Sequence, residues 1–242
     1  MTVERTVPAA EHAQPPIGAA ERDGPTPLQV RLQILSTEHW SLLASRGLAW
    51  NESFARASMY LSTLSGALVA LGLIASVGGL GDAFYVVALI VLPVVLFVGV
   101  GTWYRMGATN YHDAIAVAGM NRIRAAYLEI APDLEPYFVM GVHDDAPGIG
   151  ITMAVPPGTS QFAHLIAGTP TLIMVLNGVV SGAIVAIALL RLVNADPALA
   201  LLVALVVAVA VIAGEFRSAR GKIRRGQQAL APMFPTPPDA PS

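Results

Sequence analysis

From Ala57 to Val77 the chain runs 21 residues without a charged side chain. A second uncharged run covers Ala83 to Tyr104, a third Pro170 to Leu190, and a fourth Pro197 to Gly214. A helix rises 1.5 Å per residue, so about 20 such residues cross a hydrocarbon core. In lipid only helices and closed barrels satisfy every backbone group, and runs this continuous are helical rather than alternating. Gly78–Asp82 and Arg191–Asp196 are links short enough for antiparallel hairpins only. The expected fold is therefore all-α: a four-transmembrane-helix bundle of two hairpins, spans 57–77 with 83–104 and 170–190 with 197–214. Charged residues make up 12% of the chain, about half the share of a typical soluble domain. That excludes an ordinary soluble enzyme and a disordered scaffold. With no cysteine there is no disulfide framework, thiolate zinc site or thiol nucleophile. A net charge of −2 gives no footprint for nucleic acid.

The polar segments divide the rest. Residues 1–27 hold five prolines and no apolar core of signal-peptide length, and are expected to be disordered. Residues 28–56 read as a helix leading into the first span. Residues 105–164 read as a helix from Asn110 to Ile130 followed by loop, with Asn110 as N-cap and Asp113 three residues on. Thr169–Pro170 and Asp196–Pro197 read as cap-then-proline helix starts. Residues 215–242 form a basic juxtamembrane segment and a Pro-rich tail.

Charge sets the orientation. Arg46, Arg56, Arg105, Arg217, Arg220, Lys222, Arg224 and Arg225 lie toward one side of the spans, and Arg191 alone toward the other. The positive-inside rule then puts both termini and the middle segment in the cytoplasm of a cell with the chain in its plasma membrane. Arg217, Arg220, Lys222, Arg224 and Arg225 would meet anionic lipid there, each contributing about 1 kcal/mol, or serve topology alone. Thirteen of the 14 basic residues are Arg, a bias common in GC-rich bacterial genomes.

The first and third spans share a string: SGALVALGLI at 65–74 and SGAIVAIALL at 181–190 match at six of ten positions. Duplication of a hairpin and convergence of Ala/Val/Leu-rich composition both yield such a match. Either way, Ser62, Gly66 and Ala70 recur at four-residue spacing, as do Gly178, Gly182 and Ala186, with Asn177 beside them. Small residues so spaced let helices approach closely in lipid, within the chain or in a homo-oligomer. Gly66 and Gly182 are expected at helix contacts, with Asn177 near them. Pro93 should kink the second span.

Chemistry has few places to reside. The four spans contain no Asp, Glu, Lys, Arg or His, which counts against proton-coupled carriers, voltage sensors and ion relays. His112, Asp113, His143, Asp144 and Asp145, with His39, Glu129 and His164 as additions, are the residue types that hold zinc or manganese. Their spacing fits no tight metal motif, and a solvated acidic surface with stray histidines is the favoured account. No metal, cofactor or catalytic residue is assigned, and the chain is not expected to be an enzyme.

Residues 31–71 (RLQILSTEHWSLLASRGLAWNESFARASMYLSTLSGALVAL) and 118–145 (AGMNRIRAAYLEIAPDLEPYFVMGVHDD) resemble a group of bacterial, largely actinobacterial, integral membrane proteins of uncharacterised activity. The resemblance implies membrane location only. The layout is also similar to two-span effector modules in which an amphipathic helix precedes a hairpin. Three readings follow. A non-enzymatic assembly or scaffold protein would pack through small-residue faces. A small channel or pore-forming effector would conduct, with Asn177 and the Ser-lined first span facing water. A membrane-bound enzyme would bring His112 or His143 close to other polar ligands.

Overall fold

A computed structural model describes residues 26–154, 168–229 and 231–238. Among these residues the fold is all helical. Helix α1 spans Leu28–Gly78, α2 Asp82–Ile130, α3 Ala146–Thr152, α4 Thr169–Leu192 and α5 Pro197–Ala229; a 3-10 turn covers Pro132–Tyr137. Four of them, α1, α2, α4 and α5, are long and apolar enough to cross a membrane. Residues 1–25 lie outside the description, so the expectation for the N-terminal tail does too.

The restart expected at Asn110 in the second helix does not occur, and the helix over 28–56 runs into the first span without interruption. Each span and its polar extension form one helix, 51 residues in α1 and 49 in α2. Asn110, expected as an N-cap, sits inside α2. The cause is a partner that one strand of sequence cannot show. Eleven of the fifteen buried positions of α2 are spaced by four and three residues in alternation: Ala88, Leu92, Val95, Gly99, Thr102, Met106, Thr109, Asp113, Ala116, Met120 and Ile123; Val117, Ala118, Asn121 and Arg124 are buried beside this line. This is a heptad seam, and α1 lies along it as an antiparallel neighbour. Ion pairs hold the register beyond the spans: Glu52 accepts from Arg105 at 2.9 Å, Asp113 from Arg46 at 2.6 Å, and Arg31 reaches Glu129 at 3.6 Å. The 29 residues of α1 before Ala57 thus form, with α2, a two-helix stalk about 43 Å long.

Helix α2 is the common wall. It packs on α1 along one side and on α4 along another, while α4 packs on α5. Helix α2 continues through Pro93. At the short-link end Arg191 ties the hairpin tips together. It donates to the Leu80 carbonyl at 3.0 Å, lies 3.5 Å from Asp82, and covers the Tyr85 ring at 3.7 Å. Helix α5 starts as expected, Asp196 Oδ1 accepting from the Ala198 and Leu199 amides at 2.9 and 3.2 Å. In α4 the cap shifts by one: Gly168 takes that position and Thr169 is the first helical residue. A further correction falls in the stretch read as loop. Asp145 caps α3 there, accepting from Gly148 N at 3.1 Å.

Candidate functional site

The His and Asp residues considered as metal ligands do not converge. Among the described residues no group of three or more His, Cys, Asp or Glu is placed to hold a metal ion. Asp113 is engaged by Arg46 on the α1–α2 seam, with bonds of 2.6 and 3.2 Å. His112, its neighbour on α2, is exposed. His39 stacks on Tyr127, with ring centroids 6.4 Å apart, and burial, then the charge of Arg124, holds its pKa below the usual histidine value. His164 lies outside the described residues.

Asp144 and Asp145 have a different task, which the sequence did not disclose. They receive the C-terminal tail. Asp144 accepts from the Met233 and Phe234 amides at 2.9 and 2.8 Å and from Arg122 Nε at 2.6 Å. Asp145 accepts from the Thr236 amide at 2.7 Å and its hydroxyl at 2.8 Å. Between Pro232 and Pro238 only Met233, Phe234 and Thr236 own a backbone N–H. The two carboxylates take all three. The prolines leave no other donor to satisfy, so two side chains are sufficient to clamp a segment with no secondary structure. Return bonds complete the clamp: the Asp144 amide donates to the Phe234 carbonyl at 3.2 Å and Arg122 to the Ala231 carbonyl at 3.1 Å.

Behind the clamp, Asn121 fixes the loop that presents it. Fully buried on α2, its amide donates to the carbonyls of His143 and Gly148 at 2.6 and 3.1 Å. Its oxygen accepts from Thr152 at 2.7 Å and Arg124 at 2.8 Å. All four hydrogen-bonding sites of this amide are used.

A second polar group lies between the membrane-length helices. Tyr60 of α1 and Asn177 of α4 are fully buried, and Gly99 of α2 faces both. A Cβ at Gly99 would strike Asn177 Oδ1 and would lie 2.7 and 2.8 Å from Tyr60 Cε2 and Cζ, which explains the glycine. Asn177 Nδ2 donates to Glu215 Oε1 at 3.1 Å, and Ser181 caps the turn by donating to the Asn177 carbonyl at 2.7 Å. Tyr60 Oη, Asn177 Oδ1 and Glu215 Oε2 are enclosed and have no hydrogen-bond partner. The uncharged run ends at Gly214 and so leaves Glu215 outside the fourth span expected from the sequence. Helix α5 continues without a break and delivers its carboxylate.

The small-residue faces divide. Gly178 and Gly182 do sit at a helix contact, but with α5. A Cβ at Gly182 would lie 2.8 Å from the Ala204 carbonyl oxygen, and one at Gly178 2.6 Å from Ile212. Ser62, Gly66 and Ala70 face outward, and Gly66 has no neighbour within 4 Å of its Cβ position. The expected contact of Gly66 with Gly182 within the chain is therefore absent.

In the stalk, α1 carries a further apolar stripe beside the one packed on α2. Trp40, Leu43, Gly47, Trp50 and Phe54 follow the same alternation of three and four. Trp40 is 67% exposed and Phe54 53%. Trp50 and Phe54 rings lie 5.8 Å apart. Of the basic run, Lys222 stands 3.9 Å over the Tyr104 ring and Arg220 4.5 Å over Phe216. Arg217 is exposed, and the side chains of Arg224 and Arg225 lie outside the described residues. Compared with family profiles, with curated proteins and with solved structures, the chain matches none.

Proposed function

We propose that this multi-pass membrane protein is a non-enzymatic assembly protein of the plasma membrane that associates with a second copy of itself through α1. The observation that carries the reading is the exposed stripe at Trp40, Leu43, Trp50 and Phe54. It lies on the part of α1 bearing Arg46, Glu52 and Arg56, where water rather than lipid is the surrounding medium, and an apolar patch there calls for cover. Three features name the occupant. The stripe has heptad spacing, the pattern that another helix of the same kind fits. It continues into the span through Ser58, Ser65, Leu68 and Gly72, all exposed, so one straight partner helix covers both parts. No position along it is charged, so a two-fold axis along the membrane normal sets no like charges against each other.

In this reading both termini and the stalk are cytoplasmic, by the basic bias about the spans. Lys222 and its basic neighbours then face the anionic leaflet. The likeness of residues 31–71 and 118–145 to bacterial integral membrane proteins is in keeping with it.

The test is oligomeric state in lipid nanodiscs and mild detergent. The wild-type chain should be a dimer. Gly47→Cys, in a chain with no native cysteine, should cross-link to a dimer on mild oxidation. Trp50→Glu should weaken association tenfold or more, about 1.4 kcal/mol. A wild-type monomer at micromolar concentration, with no cross-link from Gly47→Cys, rules the reading out.

A further inference from the structure

The cluster between Tyr60, Asn177 and Glu215 is a polar site in an apolar bundle, and its unpaired atoms share one chemistry. Asn177 Oδ1 and Glu215 Oε2 can only accept, and Tyr60 Oη can accept or donate. All three are oxygens, two of the side chains are fully buried, and the set carries one negative charge. Asn177 lies eight residues past Thr169, about 12 Å along α4, within a membrane-length helix. A carboxylate so placed is tolerated when it pairs with a positive charge.

Among the described residues no cation pairs with the Glu215 carboxylate. Tyr60 is the titratable group facing Glu215 from α1. Helix α2 offers Gly99, and its first cation beyond the span, Arg105, is bonded twice to Glu52 at 2.9 Å. Helix α4 offers Asn177 and Ser181. On α5 itself Arg217 points some 200° round the helix, and Lys222, two turns on, is stacked on Tyr104.

We propose that Glu215, Asn177 and Tyr60 form an intramembrane binding site for a small hard monovalent cation. Oxygen-only ligands select a hard ion, and a single carboxylate balances one charge. Na⁺ and H⁺ share this chemistry. Gly99 is the residue that lets the Asn177 amide and the Tyr60 ring meet at the site, since any larger side chain would displace the amide. The ion joins α4 to α5 and both to α1, so its binding stabilises the bundle.

The full chain in nanodiscs tests the site by thermal unfolding. One arm replaces N-methylglucamine chloride with NaCl at fixed pH and ionic strength. The other lowers pH from 8.5 to 5 without Na⁺. Wild-type melting temperature should rise saturably in at least one arm, by about 5 °C when the ligand reaches 100 times its dissociation constant. A response to Na⁺ identifies the metal ion. A response to pH alone, with a carboxylic C=O infrared band that Glu215→Gln removes, identifies the proton. Glu215→Gln, isosteric and neutral, should abolish the response; pH effects from other groups, His39 among them, would persist in it and so cancel. Tyr60→Phe keeps the ring packing and should shift the midpoint severalfold, so a poorly folding Glu215→Gln does not block the test. If wild type responds to neither ion, or if the response survives in both variants, the site does not exist.

Discussion

Asp144 has a side chain with no exposed surface and keeps its charge. Burial pushes its pKa up, but the Met233 and Phe234 amides and Arg122 outweigh burial and hold it below the usual aspartate value. Asp145 is lowered in the same way, by Thr236 and Gly148 against its own desolvation. The sign of the pH effect follows. A carboxyl whose folded pKa is lowered contributes stability in full above its unfolded value, about 4, and loses it as pH falls through the folded value. Acid should therefore free the tail: the protection of the Met233, Phe234 and Thr236 amides against hydrogen exchange, taken relative to the intrinsic rate at each pH, should be high at pH 7 and fall away below about pH 4. Asp144→Asn sets an NH₂ group against backbone donors and should accelerate exchange at neutral pH, a cost of about 1–3 kcal/mol. Protection unchanged in that variant would mean the tail is held by something other than this carboxylate. The paired acids at 144 and 145 were visible in the sequence as a cluster with chemistry. Their partners were not, because they are backbone amides some 90 residues away, exposed to a side chain only because the intervening prolines have none to offer.

At the level of the helix, the four spans could be read directly, since absence of charge over 18 to 22 residues has one physical meaning. The seams could not. Within a span every face is apolar, so the four-three spacing of α2 has no contrast to show it. Beyond the span the same seam carries Asp113, which reads as part of a helix start until Arg46 is set against it, and Asn121 beside the seam has no visible role until the His143 loop is set against it. The small-residue faces show the same ambiguity: spacing marked both Gly66 and Gly182, and packing separates them. Gly182→Leu would push α4 off the Ala204 backbone and should lower the melting temperature in detergent, an overpacking cost of about 1–3 kcal/mol. Gly66→Leu meets open space and should leave the monomer's stability unchanged. Equal damage from the two, in a sample shown to be monomeric, would contradict the α4–α5 contact.

For the molecule as a whole, the two ends differ in kind, and the difference gives a prediction of how it sits in a bilayer. One end has two short links, where Arg191 is occupied with Leu80, Asp82 and Tyr85. The other has the stalk, the clamped tail and eight of the basic residues near the spans. Moving the links across a membrane transfers one arginine. Moving the stalk end transfers the whole basic set, together with the ion-paired extensions of α1 and α2. The positive-inside rule applied to that asymmetry predicts insertion with the links outward. With no native cysteine, single-cysteine labelling reads it cleanly. Gly81→Cys, in the first link, should react with a membrane-impermeant maleimide in intact cells. Glu135→Cys, exposed in the 3-10 turn beside the stalk, should react only after lysis. The reverse pattern would invert the molecule and turn the stalk outward. Labelling of both sites in intact cells would mean the chain inserts in two orientations, and that the eight-to-one charge difference does not control its topology.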